Sequence, residues 1–496
     1  MYLKNIALWV TRTGTRKTFL ALLTFVLTAW ISLVTIWRIE SDSSLLLTNG
    51  ELMTRIAVLP AFASAFALLL ATIVASLPAK SGEFSPVPQA QTQANHFQAQ
   101  VVGVQWMNPL HRMDYPTEWQ LLWTLNLVKP NVDDDMVKKN PERYGSLKAV
   151  GSIVDGGNGQ TSLKFYFQVY VETLVFRHRD KYFSNERYFY NAHAIEDKST
   201  RRELAGIRVE FALPEGQLNP SDEANYIRET IISAFDIGNP NFPNSWTRST
   251  PPDVRITQGG ADAGFTSLTQ ALDYLQQHPS ETVWVMNWDA PSRPLDEQIN
   301  ENLVLLVLAG PDYKTGRAPL AWLSYPAQVK VQDVASDGST PRQIQAWKTT
   351  LEKAAQNAGK RPTDIGFVIH DANSTHPQSS DRLAGLARTV TENIPDLDFI
   401  KQTFNTSALL GEMRAGSALT NVALAIGYAN HIGATVLVAG TTDLEQPTAT
   451  IVTPPAIVRP IDANAPWFRA RGANNAYMTW WGVRHDARPN MQGYSQ

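Results

Sequence analysis

The sequence predicts an α/β protein in three parts. These are an N-terminal two-helix transmembrane hairpin, an α+β middle domain, and a C-terminal domain of two related α/β halves. Three observations predict this. Two uncharged apolar runs, residues 18–37 and 56–77, are each long enough to cross a bilayer. Short continuous apolar runs such as NLVLLVLAG (302–310) suit strands buried on both faces. Between Ser221 and Val452, helix-period segments and such runs follow one another twice on the same plan.

The 496 residues suffice for two or three domains with an ordinary core. A net charge of −3 gives no clustered basic face, so nucleic acid is not an expected partner. The chain contains no cysteine, which excludes disulfides, thiolate metal sites and cysteine nucleophiles. It leaves the compartment open.

The hairpin occupies residues 1–80. Lys4, Arg12, Arg16 and Lys17 precede the first run, while Arg38, Glu40, Asp42, Glu51 and Arg55 roughly balance between the runs. The positive excess places the N-terminus in the cytoplasm, and two spans return the chain there. The expected location is therefore the inner membrane, with the soluble domains facing the cytoplasm. The alternative is a signal peptide followed by a buried helix, but the first run is long for one and no A-x-A site directly follows. If only one span inserts, the body lies on the other side. Residues 81–98, rich in Pro, Gln and Ser, read as a linker.

The middle domain is placed at 99–215. AQVVGVQW (99–106) and RVEFAL (208–213) read as strands. An amphipathic helix starts at Thr117 and sets Trp119, Leu122, Trp123 and Leu127 on one face. Residues 163–176 read as a strand or a buried helix. Asp133, Asp134 and Asp135 read as a solvated loop rather than a metal site, since no further ligand follows at the needed spacing. GGNG (156–159) lacks the spacing of a phosphate-binding loop. The basic run Arg177, His178, Arg179, Lys181 and Arg187 is offset by Asp180, Glu186, Glu196 and Asp197, as on a solvated face.

The C-terminal domain, 216–496, starts with a helix that Ser221 can cap. A Pro-rich loop follows, then a helix over 265–278 and strands at 283–288, 302–310 and 319–326. The second half offers a helix at 341–358, a strand at 366–370, helices at 379–393 and 415–430, and strands at 435–440 and 448–452. A serine hydrolase elbow G-x-S-x-G is absent, so Ser267 reads as a helix residue. His370, Asp371 and His376 could hold a metal, but a hydrogen-bonded strand-end turn is the preferred reading; no metal or cofactor is expected.

A strand ending in His370 and followed by DANST resembles the ketosynthase segment in which a strand-end histidine precedes a Gly/Thr turn. LLGEMRAGSALTNVALAIGYANHIGATVLVAG (409–440) resembles the later segment whose loop reaches the active site. GFTSLTQALDYLQQHPSETVWVMNWD (264–289) resembles the helix that carries the catalytic cysteine. The resemblance covers about 220–455 and implies a thiolase-like domain. That family's chemistry uses a cysteine at a helix N-terminus, two histidines and a lysine, and the thiolate needs those neighbours. Here the cysteine position falls near Ala263–Thr266, Glu412 stands at the second histidine and Ser407 at the lysine; only His370 is kept. A carboxylate cannot donate a hydrogen bond to an acyl oxyanion. The resemblance thus implies a degenerate pocket at His370, Ser407 and Glu412, without catalysis.

The two-span N-terminus, VVGVQWMNPLHRMDYPTEWQLLWTLNLVKPN and LVAGTTDLEQPTATIVTPP together resemble the type VI secretion lipase-adaptor family across 1–496. This implies a non-catalytic adaptor that binds a phospholipase effector and recruits it to the VgrG spike; the thiolase-like resemblance allows a homodimer. The alternative is a membrane-anchored acyl-binding or acyl-transfer protein that relies on His370. The C-terminal tail holds Trp467, Arg469, Arg471, Trp480, Trp481 and Arg484, residue types favoured at interface hot spots. They serve either to bind a partner or to seal one end of the domain.

Overall fold

The computed structural model describes residues 96–107, 117–128, 151–152, 163–184, 190–191, 207–235, 237, 240, 251–290, 302–314, 318–335, 338–372, 379–461 and 482–483. The two apolar runs, the Asp133–Asp135 triplet, the GGNG turn, His376 and the six tail residues lie outside them. Among the described residues no helix is long and apolar enough to cross a membrane.

The first half comprises β1 (Gln98–Met107), α1 (Thr117–Thr124), β2 (Gly151–Ser152), α2 (Leu163–Ser184), β3 (Tyr190–Asn191), β4 (Arg208–Pro214), α3 (Pro220–Ala234), β5 (Asp253–Gly259), α4 (Ala263–Gln277), β6 (Thr282–Asp289) and β7 (Asn302–Ala309). The second comprises β8 (Ala321–Ser324), β9 (Ala327–Gln328), α5 (Arg342–Asn357), β10 (Ile365–His370), α6 (Ser379–Asn393), β11 (Thr403–Asn405), α7 (Thr406–Leu410), α8 (Ser417–Ile432), β12 (Thr435–Gly440) and β13 (Thr448–Thr453). A short β14 (Gly482–Val483) pairs with β2.

The sheet runs β11-β10-β12-β13-β8-β1-β7-β6-β4-β5. β4 lies parallel to β5 and β6, and β6 antiparallel to β7. In the same way β10 lies parallel to β11 and β12, and β12 antiparallel to β13. One plan therefore occurs twice, and the antiparallel pair β1–β8 joins the copies. Strand pairing also runs across the boundary expected near 215. β4 ends at Pro214 between two later strands, and β1 pairs with β7 and β8.

Side chains alternate across each strand and sort the helices into layers. On β4, Phe211 meets Phe167 of α2 with ring centroids 5.7 Å apart, while the Arg208 guanidinium sits 4.7 Å from the Tyr274 ring of α4. On β10, Phe367 stacks on Tyr428 of α8 at 3.8 Å, while Val368 joins Trp347 of α5 and Leu386 of α6 in a second core. α4 and α8 thus form a middle layer between the two half-sheets, with α2 and α3 outside one and α5 and α6 outside the other. Helix α8 is buried almost all round, as its Ala- and Gly-rich sequence allows.

Local chemistry explains several boundaries. Asn219, rather than Ser221, caps α3: its side chain accepts from the Ser221 and Asp222 N–H groups, with Pro220 in the first turn. Residues 163–176 form part of a helix; the burial of Phe167, Val171 and Leu174 decides between the two readings. The Pro-rich loop expected before the 265–278 helix ends in strand β5, whose Asp253 and Arg255 are exposed at the sheet edge. The helix expected at 415–430 starts as a single 3-10 turn, Arg414–Gly416, and continues as α8 to Gly433 at φ +78°.

Candidate functional site

β10 ends at His370, beside its parallel neighbours β11 and β12. The carboxyl ends of parallel strands are where α/β sheets gather polar groups. His370 is buried, and its Nδ1 accepts from the Ala372 N–H at 3.3 Å. Its ring stacks on Phe399. Burial lowers its pKa to about 4, against the opposing pull of the Asp371 charge. The imidazole is therefore neutral at physiological pH.

Asp371 is also buried. Its Oδ1 accepts from the Thr441 N–H at 2.8 Å and the Thr441 hydroxyl at 2.9 Å. Its Oδ2 accepts from the Ser417 hydroxyl at 2.8 Å and the Thr442 hydroxyl at 3.4 Å. One carboxylate thus ties the end of β10 to the start of α8 and to the turn after β12. The backbone of the same turn is held from the other side. The Thr406, Ser407 and Asn405 side chains donate to the carbonyls of His370, Asp371 and Ala372 at 3.1, 3.0 and 2.6 Å. Asn405 also caps α7 by accepting from the Ala408 N–H.

Two further carboxyl groups border this knot. Asp262 precedes α4, and its Oδ1 is buried without a hydrogen-bond partner among the described residues. Burial, then the charges of Asp371 and Asp443, raise its pKa to about 7. Asp289 ends β6; its two oxygens accept from the Ala290 and Ala415 N–H groups at 2.7 and 3.0 Å. Burial raises its pKa to about 7, with those hydrogen bonds and Arg414 opposing and Glu412 adding to the rise.

The structure sets Ser407 of α7 against the turn that follows His370, with the Ser407 hydroxyl committed to the Asp371 carbonyl. Glu412 follows Gly411 (φ +78°) and bears on Asp289. At the expected cysteine position α4 and α8 touch, since a Cβ on Gly264 would lie 2.8 Å from the Ala418 Cβ. Ser267 is a buried residue of α4, as expected. Among the described residues no group of three carboxylate or histidine side chains could hold a metal ion. Sequence reasoning missed Asp262, Asp289, Ser417 and Thr441. The signal available for Asp289 was a lone acid closing the apolar run VWVMNW.

These residues lie in or against β8–β13. Residues 320–454 match the family described as Type VI lipase adapter protein Tla3, C-terminal. The match spans the second half of the sheet, including His370, Asp371, Ser407, Glu412 and Ser417. No curated protein matches the chain.

Solved structures similar to it include ketosynthases. The oxazolomycin ketosynthase domain OzmH KS8 of Streptomyces albus JA3453 shares 13% identity over 76% of this chain and 98% of its own, with a TM-score of 0.43. The ishigamide ketosynthase/chain length factor shares 13% over 72% and 99%, with a TM-score of 0.45. The ketosynthase from module 6 of the bacillaene synthase of Bacillus subtilis 168 shares 9% over 72% and 72%, with a TM-score of 0.44.

Proposed function

We propose that this chain is a non-catalytic adapter that binds a phospholipase effector of a type VI secretion system and recruits it to the VgrG spike. The match of residues 320–454 to the lipase adapter family carries this reading. The residues at the degenerate pocket support it. No cysteine exists, and the Ser407 hydroxyl and the Asp371 carboxylate are occupied by hydrogen bonds within the fold. A nucleophile needs an adjacent base and an open approach, and His370 spends Nδ1 on a backbone N–H. Function then resides on the surface of the domain. The runs at 18–37 and 56–77 would tether the adapter to the inner membrane, and the aromatic and arginine-rich tail would add a second contact surface.

The test is co-purification of the full chain, extracted in detergent, with a type VI lipase effector and with the spike protein. Capture of the lipase and then of the spike supports the reading. Capture of neither overturns it.

A further inference from the structure

The outer helix layer of the second half holds a buried arginine without a partner. Arg382 is the fourth residue of α6 and is 8% exposed. Its Nε is buried without a hydrogen-bond partner, and its guanidinium forms no ion pair among the described residues. A buried charge is costly unless it is paired, and arginine cannot shed its proton. Leu386, one turn further along the same face, joins Trp347 and Val368 in the second core. The apolar face of α6 therefore ends in a cation.

Arg382 is aimed at the start of its own helix, because long helical side chains run back over the preceding turn. A second helix starts beside it. α6 links the parallel strands β10 and β11, and α5 leads into β10 through residues 358–364, so both helices run opposite to β10. Their first turns lie together at the carboxyl end of that strand. A Cβ on Gly385 would lie 2.9 Å from Trp347 Cδ1 and 3.7 Å from Cδ of Gln343, which is in the first turn of α5. The start of α5 has no side-chain cap, and the Arg342 and Gln343 N–H groups have no acceptor among the described residues. Each helix start presents unpaired N–H donors and about half a positive charge.

We propose that Arg382 and the adjacent starts of α5 and α6 form a binding site for the phosphate group of a small ligand. The guanidinium fork donates two parallel N–H···O bonds to one edge of the phosphate, and helix N–H groups meet its other oxygens. Two helix starts and one guanidinium set about two positive charges around that point, which suits a phosphate dianion better than the single charge of a carboxylate. Arg342, exposed on α5, adds to this field, and Asp381, exposed on α6, offsets it. The site belongs to the outer layer, whereas Asp371 fastens β10 to α8 in the middle layer. It does not depend on the adapter reading.

Thermal melting of the full chain in detergent, at an ionic strength fixed with sodium chloride, tests this. Inorganic phosphate and glycerol 3-phosphate are the probes. A ligand that binds only the folded state raises the melting temperature, here by about 3 °C or more near saturation. Arg382→Met keeps a buried apolar stem without the charge. It should melt at or above the wild-type temperature without phosphate and lose the response to phosphate. Arg382→Lys, which keeps the charge and loses the fork, should respond less than wild type. A shift with glycerol 3-phosphate at least as large as that with phosphate assigns an organic phosphate ester, and a smaller one assigns free phosphate. No shift in the wild type, an undiminished shift in Arg382→Met, or an equal shift with acetate overturns the site. Melting of Arg382→Met below wild type before phosphate is added also overturns it, since the side chain would then serve the fold.

Discussion

Thr441 donates twice to one oxygen of Asp371, through its N–H at 2.8 Å and its hydroxyl at 2.9 Å. The other oxygen takes the Ser417 hydroxyl. The carboxylate at the end of β10 is thereby a fastener between β10, β12 and α8. Removing it strands several buried donors, each costly to leave unmade. Asp371→Ala should destabilise the protein by about 3 kcal/mol in urea titration, and Asp371→Asn by less. A loss under about 1 kcal/mol for the alanine variant would remove the fastening role.

Asp262 makes stability fall with rising pH. Its folded pKa, about 7, lies above the ordinary carboxyl value of 3.8. The folded state therefore holds this proton more tightly than the unfolded chain. Its contribution is fully present below about pH 4 and is lost as pH rises through about 7. Asp262→Asn should raise stability by about 2 kcal/mol at pH 8 and change little at pH 4. Equal effects at the two pH values would show that the carboxyl is not the cause.

His370 acts in the opposite sense. Its folded pKa, about 4, lies below the model-peptide value of 6.5. The unfolded chain takes up the proton first as pH falls. Its contribution is complete above about pH 6.5 and is lost as pH falls through about 4, by about 3 kcal/mol in all. His370→Phe keeps a ring against Phe399 and removes the proton. Thermal melts of that variant should show a flatter acid limb than wild type; an unchanged limb would contradict the assignment.

Gly264 stands where α4 meets α8. A Cβ there meets the Ala418 Cβ at 2.8 Å and Leu419 Cγ at 3.3 Å, both on the rigid helix α8. Gly264→Ala should cost about 1–3 kcal/mol by forcing α4 and α8 apart. Gly264→Cys should lose stability in the same way and gain no acyl-transfer activity with acyl-CoA. Measurable transfer by that variant would show that the pocket is still open.

The repeated α/β plan was legible because its strands are continuous apolar runs and its helices keep their spacing, as in TVLVAG and in Leu419, Val422 and Ile426. Strand β5 was not, because DVRITQG puts Asp253 and Arg255 outward at an edge and carries no apolar run. Strand β11, at three residues, is too short to leave a pattern. Residues 163–176 have strand-favouring side chains, yet they form a helix whose Phe167 packs against Phe211 and Trp288. At the site, the strand-end position of His370 could be read directly. The partners of Asp371 could not, because Ser417 and Thr441 stand 46 and 70 positions away and are ordinary residues in their own segments.

The place of β1 has a consequence for how the protein is made. β1 lies between β7 and β8, yet it leaves the ribosome on the order of 200 residues before either, and contacts this distant close slowly. Until then the edge that β7 covers is bare and the other pairs only at Gly103 and Val104, with β3, an invitation to wrong pairing. The region that matches the adapter family inherits the same debt: cut out as residues 320–454, β8 would lose the neighbour that holds Ala321–Ser324 in register. Folding of the whole sheet therefore depends on β1, the earliest of the described strands, waiting, protected, for its last partners to be synthesised.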